Sequence, residues 1–328
     1  MRIHVLALDG VFDTGLSALL DTLTLANELA PTLDRPPPAM EVTLVGVRRR
    51  VRTACGLGVP VRSGGEAPVP DAVLVPALGA KMPAALTTAL ARREVADAQQ
   101  LLRAWSGQGA LRIGAACTGS FVLAGGGLLD GHRATTSWWL APLFRQQHPA
   151  VALNESRMLV DSAPFVTAGA ALAHVDLALH FIRRRSPGLA ALTARYLLVE
   201  PRSSQAVFVM PDHLAHADPL VERFEHWARG HLARGFSLAV AARETGTSER
   251  TLARRLQGVL GKSPLAYFQD LRVERAAHLL QTSDASIEDI AAQVGYADGV
   301  TLRNLLRRRL HKGVRDLRAS RKPGDGDD

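Results

Sequence analysis

Two groups of residues in this 328-residue chain have types and spacing suited to chemistry. The first centres on Cys117, in the run Leu111-Arg-Ile-Gly-Ala-Ala-Cys-Thr-Gly-Ser120 that continues Phe121-Val-Leu-Ala124. A strand entering through Gly114 and a helix leaving through Gly119 would hold the thiol in a sharp strand-to-helix turn, the place of a nucleophile on an elbow. A helix N-terminus at that point would favour the thiolate. The residues alone leave three readings open: a nucleophile, a side chain lining a ligand pocket, or a buried cysteine packed as a small hydrophobe. Cys55 forms no CxxC pair with Cys117, so unpaired thiols in a reducing compartment are expected.

The second group is basic. Ser237-Leu-Ala-Val-Ala-Ala-Arg-Glu-Thr-Gly246 repeats at an offset of 49 residues as Ser286-Ile-Glu-Asp-Ile-Ala-Ala-Gln-Val-Gly295. In each copy a serine caps a short helix, a small residue (Ala242, Ala291) permits close helix approach, and a glycine takes the turn. A second helix follows in both, with Leu252 and Leu256, or Leu302 and Leu306, facing inward at i, i+4. Arg250, Arg254 and Arg255 in the first copy, and the arginines of 303–309 in the second, are expected to face outward. Paired helix-turn-helix units with arginine-bearing second helices are suited to DNA. Between them Ser263-Pro264 starts a helix to about Leu280, a spacer of roughly 25 Å, able to set two recognition helices about one DNA turn apart.

These groups need scaffolds of different kinds. From Met1 to about Val199, continuous apolar runs (Ile3 to Leu8, Val42 to Val47, Ala72 to Val75, Leu111 to Ala115) alternate with helical periods (Leu16 to Leu29, Ala91 to Trp105), which predicts a mainly parallel sheet covered on both faces. Pro201 to Asp218 is rich in breakers and reads as a linker. A helix then restarts at Pro219 with Asp218 as N-cap, sending Leu220, Val221, Phe224 and Trp227 inward. The expected domains are 1–200, a linker 201–218, a DNA-binding domain 219–322, and a disordered acidic tail 323–328. The net charge of +8 follows this division, since Phe236 to Lys322 carries 16 basic and 9 acidic residues. The basicity therefore belongs to the proposed DNA-reading part, and the near-neutral remainder needs no polyanion. No apolar run reaches the length of a membrane span, and a cytoplasmic protein without a membrane partner is expected.

The C-terminal residues resemble the AraC/XylS family of transcriptional regulators. The matching stretches are Ser248 to Leu256 (S-x-R-x-L-x-R-x-L), Gly261-Lys-Ser-Pro264, Leu271-Arg-Val-Glu-Arg-Ala276 and Ile290-Ala-Ala-Gln-Val-Gly-Tyr-Ala-Asp298. By that resemblance Ser248, Glu249, Arg250 and Arg254, together with Gly299, Thr301 and Arg303, would meet base edges. Arg307, Arg308 and Arg309 would meet phosphates or solvent. The family usually has F-x-R-x-F where this chain has Leu302-Arg-Asn-Leu-Leu306, so Asn304 stands in the place of an arginine.

The N-terminal part is similar to the PfpI-like, glutamine-amidotransferase-like superfamily, through Ala116-Cys-Thr-Gly119, Gly127-Leu-Leu-Asp-Gly131, Ala134-Thr-Thr-Ser-Trp138 and Thr167-Ala-Gly169. The whole resembles GlxA-type AraC-family regulators. That resemblance implies a flavodoxin-like α/β sandwich with a cysteine elbow, followed by an all-α double helix-turn-helix domain. Family members commonly carry a histidine base after the Thr-Thr pair, and this chain has Ser137, which cannot take a thiol proton at neutral pH. An acidic residue often approaches the elbow, and Asp21 is its best match here. Asp21, Cys117, Thr118, Ser137 and Trp138 are thus expected to line an effector pocket, with Trp138 and Trp139 either walling it or packing in the core. No catalytic residue is assigned. His213 and His216 lie in the linker without further ligands, and neither a metal nor a cofactor is expected.

The resulting expectation is a sequence-specific transcriptional regulator, not an enzyme, controlled by a small-molecule effector. Its expected partners are promoter DNA, that effector, RNA polymerase and a second copy of the chain as a homodimer. The competing reading is a PfpI-like cysteine hydrolase or amidase carrying a DNA-binding domain.

Overall fold

The computed structural model describes residues 1–107, 111–200, 202, 204–205, 218–310 and 313–319. It divides into two units, Met1–Gln205 and Ala206–Asp328. Most of the expected linker, with His213 and His216, and the acidic tail 323–328 lie outside the described residues.

The first unit is built on β1 (Arg2–Leu6), β2 (Glu41–Gly46), β5 (Arg62–Ser63), β6 (Ala72–Val75), β7 (Arg112–Ala116), β10 (Leu159–Ser162) and β11 (Phe165–Ala168). They form one sheet in the order β10-β11-β7-β6-β1-β2-β5. Every pairing in it is parallel except β10 with β11. Alternation along the central strands feeds two cores. Ile3, Val5 and Ala7 pack with Leu16, Leu19 and Leu23 of α1 (Asp13–Leu29) and with Leu177 and Phe181 of α6 (Ala173–Arg185). Leu6 and Leu8, with Val73 and Val75, pack on the other face against α3 (Arg93–Ser106) and α4 (Gly119–Gly125). This is the α/β sandwich expected from the runs of buried-type strands. Helices α2 (Pro83–Leu90), α5 (Ala141–Gln147) and α7 (Pro187–Tyr196), the hairpin of β3 (Arg50–Arg52) with β4 (Gly58–Pro60), and the short parallel pair β8 (Arg133–Ala134) and β9 (Ala152–Leu153) complete its α-helices and strands among the described residues.

Loops at the carboxyl ends of the parallel strands are stitched to one another. Gly79 N–H donates to Gly10 O (2.7 Å), Phe12 N–H to Ala77 O (2.8 Å), and Ala54 N–H to Val11 O (2.9 Å). In sheets of this type ligands bind outside those strand ends.

The second unit is helical. Asp218 Oδ1 accepts from the N–H groups of Leu220 (2.8 Å) and Val221 (3.3 Å), capping α8 (Pro219–Gly230) as expected. The first repeat is α9 (Leu238–Glu244) and α10 (Glu249–Leu260), the spacer is α11 (Pro264–Thr282), and the second repeat is α12 (Ile287–Gln293) and α13 (Gly299–Leu310), followed by α14 (Val314–Ala319). Ser237, Ser248, Ser263 and Ser286 each accept a backbone N–H at a helix start. The turn glycines Gly246 and Gly295 sit at φ 71° and 81°, the left-handed region open to glycine. The 19-residue spacer spans about 28 Å. Val273, Ala276 and Leu280 on it pack against Ile290, Leu302 and Leu306 of the second repeat.

Candidate functional sites

Strand β7 ends at Ala116, and Cys117 follows at φ 55°, a left-handed conformation that a non-glycine residue adopts only where its surroundings hold it. Its N–H donates to Ala168 O of β11 (2.7 Å), and its carbonyl accepts from Thr136 Oγ1 (2.9 Å) and Ser120 N–H (3.2 Å). Thr118 Oγ1 donates to Leu78 O (3.0 Å), so this expected pocket residue clamps the turn to the neighbouring strand end. Gly119 has to be glycine, because a Cβ there would lie 2.5 Å from Val75 O and 3.0 Å from Pro76 O. The elbow read from the glycine spacing is present.

The thiol's chemistry differs from the expectation. Cys117 is buried, and burial pushes its pKa up; the hydrogen bond with Ser137, the Thr118 backbone and the charge of Lys81 oppose that shift but are outweighed. The macrodipole argument for a thiolate fails because α4 has only seven residues and desolvation dominates. Cys117 Sγ lies 2.7 Å from Ser137 Oγ, with either atom able to donate. No proton acceptor of useful basicity is in that pair.

A histidine that sequence reasoning did not assign lies behind the pocket loops. Ala77 N–H donates to His174 Nε2 (3.0 Å), and His174 Nδ1 donates to Ala171 O (2.6 Å). Both nitrogens are engaged and the ring is neutral, since burial lowers its pKa to about 4. It packs against α1 where Gly15 leaves room, a Cβ at that position falling 2.5 Å from Nε2. The only trace of it in the sequence is a histidine at the start of the helix after Gly169.

Asp21 does not join the site. It is exposed, while Gly15, Leu16, Leu19, Thr22, Leu23 and Ala26 form the buried stripe of α1. The resemblance implied an acidic residue at this point of the first helix, but the phase of α1 turns position 21 to solvent. Trp138 is buried and meets Trp139 edge-on at 5.6 Å, and Trp139 Nε1 donates to Lys81 O (2.9 Å). Lys81 Nζ lies over the Phe12 ring, 4.7 Å from its centroid. Cys55 is exposed, and its N–H donates to Asp13 Oδ2 (3.0 Å), the carboxylate pushing its thiol pKa up.

In the second unit, the recognition helices α10 and α13 bury Leu252 and Leu256, and Leu302 and Leu306. Arg250 and Arg254 are exposed and form no hydrogen bond or ion pair among the described residues, as do Arg307 and Arg308. Several other expected contacts have employment within the fold. Ser248 Oγ accepts from Thr251 N–H (3.2 Å) and donates to Thr251 Oγ1 (2.9 Å), which makes it a cap; Glu249 is exposed at the first helical position. Arg255, expected to face outward, pairs with Asp218 (3.2 Å). Gly299 is buried, with Glu288 Oε1 2.8 Å from where its Cβ would be. Thr301 caps on Asp298, through its N–H (2.7 Å) and its hydroxyl (3.1 Å). Arg303 is exposed but pairs with Glu288 (3.1 Å). Arg309 pairs with Asp270 (2.9 Å), which also holds Lys262 (2.8 Å), and so it ties the recognition helix to the spacer instead of meeting phosphate.

Residues 241–320 match the family model described as "Helix-turn-helix domain". The chain is 30% identical over 189 residues to the HTH-type transcriptional regulator GbdR of Pseudomonas aeruginosa (strain UCBPP-PA14), covering 56% of this chain and 51% of that protein. It is 28% identical over 217 residues to the HTH-type transcriptional regulator GlxA of Rhizobium meliloti (strain 1021), covering 63% of this chain and 65% of that protein. It thus spans about half the length of GbdR and under two thirds of GlxA. The crystal structure of an AraC family transcriptional regulator from Pseudomonas putida matches 60% of this chain and 98% of its own, with a TM-score of 0.50 and 18% sequence identity, a likeness of fold.

Proposed function

We propose, from the premise that this chain joins a PfpI-like α/β domain to an AraC-family helix-turn-helix domain, that it is a sequence-specific DNA-binding transcriptional regulator controlled by a small-molecule effector. The observation that carries this reading is the duplicated helix-turn-helix, with Arg250 and Arg254 on one recognition helix and Arg307 and Arg308 on the other left exposed and unengaged among the described residues. Free guanidinium groups on a helix of this kind can meet base edges and phosphates, whereas a structural helical hairpin would have no use for them.

In this reading the effector meets the strand ends around the elbow, where Cys117 pairs with Ser137 and Trp139 donates to the Lys81 carbonyl. Effector binding shifts the population of DNA-competent protein. The regulator acts in the cytoplasm as a homodimer, occupies a promoter and contacts RNA polymerase. Among the described residues, no helix is long and apolar enough to cross a membrane.

Hydrolysis is disfavoured by the buried, protonated thiol and its hydroxyl partner. The test is footprinting on the chain's own upstream DNA, with wild type and Cys117→Ala assayed in parallel for turnover of amides. Protection of a short site with no turnover is expected. Turnover that the alanine variant loses would establish the hydrolase instead, and absence of any protected site would remove the regulator.

A further inference from the structure

The two recognition helices are equivalent in fold but not in chemistry. At about 100° per residue, the residues facing away from the Leu252–Leu256 seam are Arg250, Arg254 and Gln257. Fifty residues on, Val300, Asn304 and Arg307 occupy the same positions relative to Leu302 and Leu306. Asn304 points about 180° from that seam. It is exposed, and Val300 is 59% exposed, an unusual place for a valine in a charged helix.

The residues that sequence position favours for base contact in the second helix are otherwise occupied. Gly299 is buried without a side chain, Thr301 is spent on the Asp298 cap, and Arg303 is held toward the side of the helix by Glu288. The outermost face belongs to Val300 and Asn304.

Resting on the proposed reading as a DNA-binding regulator, we infer that the two helices read different base pairs. The first reads guanine through Arg250 and Arg254, whose forks match the O6 and N7 acceptors. The second reads an A·T box. Asn304 donates its amide N–H to adenine N7 and accepts from adenine N6 at its carbonyl oxygen, and Val300 packs on a thymine methyl. Arg307 and Arg308, one turn further along, meet phosphates. The operator is therefore asymmetric, a guanine-containing box and an A·T box on successive major grooves, about 10 base pairs apart.

The experiment is selection of sites from a random duplex library by the full-length protein, with wild type, Asn304→Ala, Asn304→Arg and Arg307→Ala compared at one salt concentration. Wild type should yield both boxes. Asn304→Ala, which raises helix propensity at an exposed position and so preserves the fold, should lose adenine preference at one base pair by about 5- to 150-fold and leave the guanine box intact. Asn304→Arg should move that preference from adenine to guanine, and Arg307→Ala should weaken all sites alike. Selected sites that are identical for wild type and Asn304→Ala overturn the inference. A wild type that selects no sequence overturns the regulator itself.

Discussion

Cys117 Sγ and Ser137 Oγ lie 2.7 Å apart in a buried turn, so the place where a base would activate the elbow thiol holds a group that can only share its proton. Burial raises the thiol pKa above its ordinary 9.0. In a Cys55→Ser background, thiolate absorbance at 240 nm should therefore stay flat up to pH 9 in the folded protein and rise only on unfolding. A titration centred near pH 7 would contradict this geometry. In wild type, iodoacetamide should modify exposed Cys55 well before Cys117.

His174 makes the stability of the N-terminal unit depend on pH. Its folded pKa, about 4, lies below the unfolded value of 6.5, so the unfolded chain binds the extra proton. Stability from this group is complete above pH 6.5 and declines as pH falls toward 4, by up to about 1.4 kcal/mol per unit and about 3 kcal/mol in all. Urea midpoints measured from pH 7 to 4.5 should show this slope, and a His174→Gln variant should flatten it. An unchanged slope in the variant would assign the acid sensitivity to other groups.

Gly119→Ala should destabilise the same unit by at least about 2 kcal/mol, because the added Cβ meets backbone oxygens that cannot move as a flexible side chain would. Denaturant unfolding followed by the near-ultraviolet signal of Trp138 and Trp139 would report it. A midpoint equal to wild type would mean the elbow can open without cost.

Arg254 and Arg255 are neighbours with different expected consequences. Arg254→Ala should relax sequence preference by about 1–3 kcal/mol, since its guanidinium is exposed and unengaged among the described residues. Arg255→Ala should leave preference intact and change stability by less than about 1 kcal/mol, because its partner is the capping Asp218 and its side chain is 57% exposed. Binding isotherms for a cognate and a scrambled duplex at one ionic strength separate the two. Equal effects would show that Arg255 also reaches DNA.

Much of this protein is determined locally and was therefore legible in sequence. Ser237 and Ser286 cap the two repeats, Gly246 and Gly295 take their turns, and Asp218 with Pro219 starts the first helix of the second unit; each follows from a side chain acting on backbone a few residues away. The buried-type strands and the glycines around Cys117 similarly mark an elbow from local sequence. What the tertiary structure decided were pairings between residues distant in the chain and the solvent each group sees. Ala77 and His174 are 97 positions apart, and only the folded sheet brings them to one hydrogen bond. Helical phase sends Asp21 to solvent and away from the elbow, while Arg255 faces outward as expected but pairs with Asp218, and Asp270 ties Arg309 to the spacer. Burial, which no local pattern encodes, turned the expected thiolate into a protonated thiol.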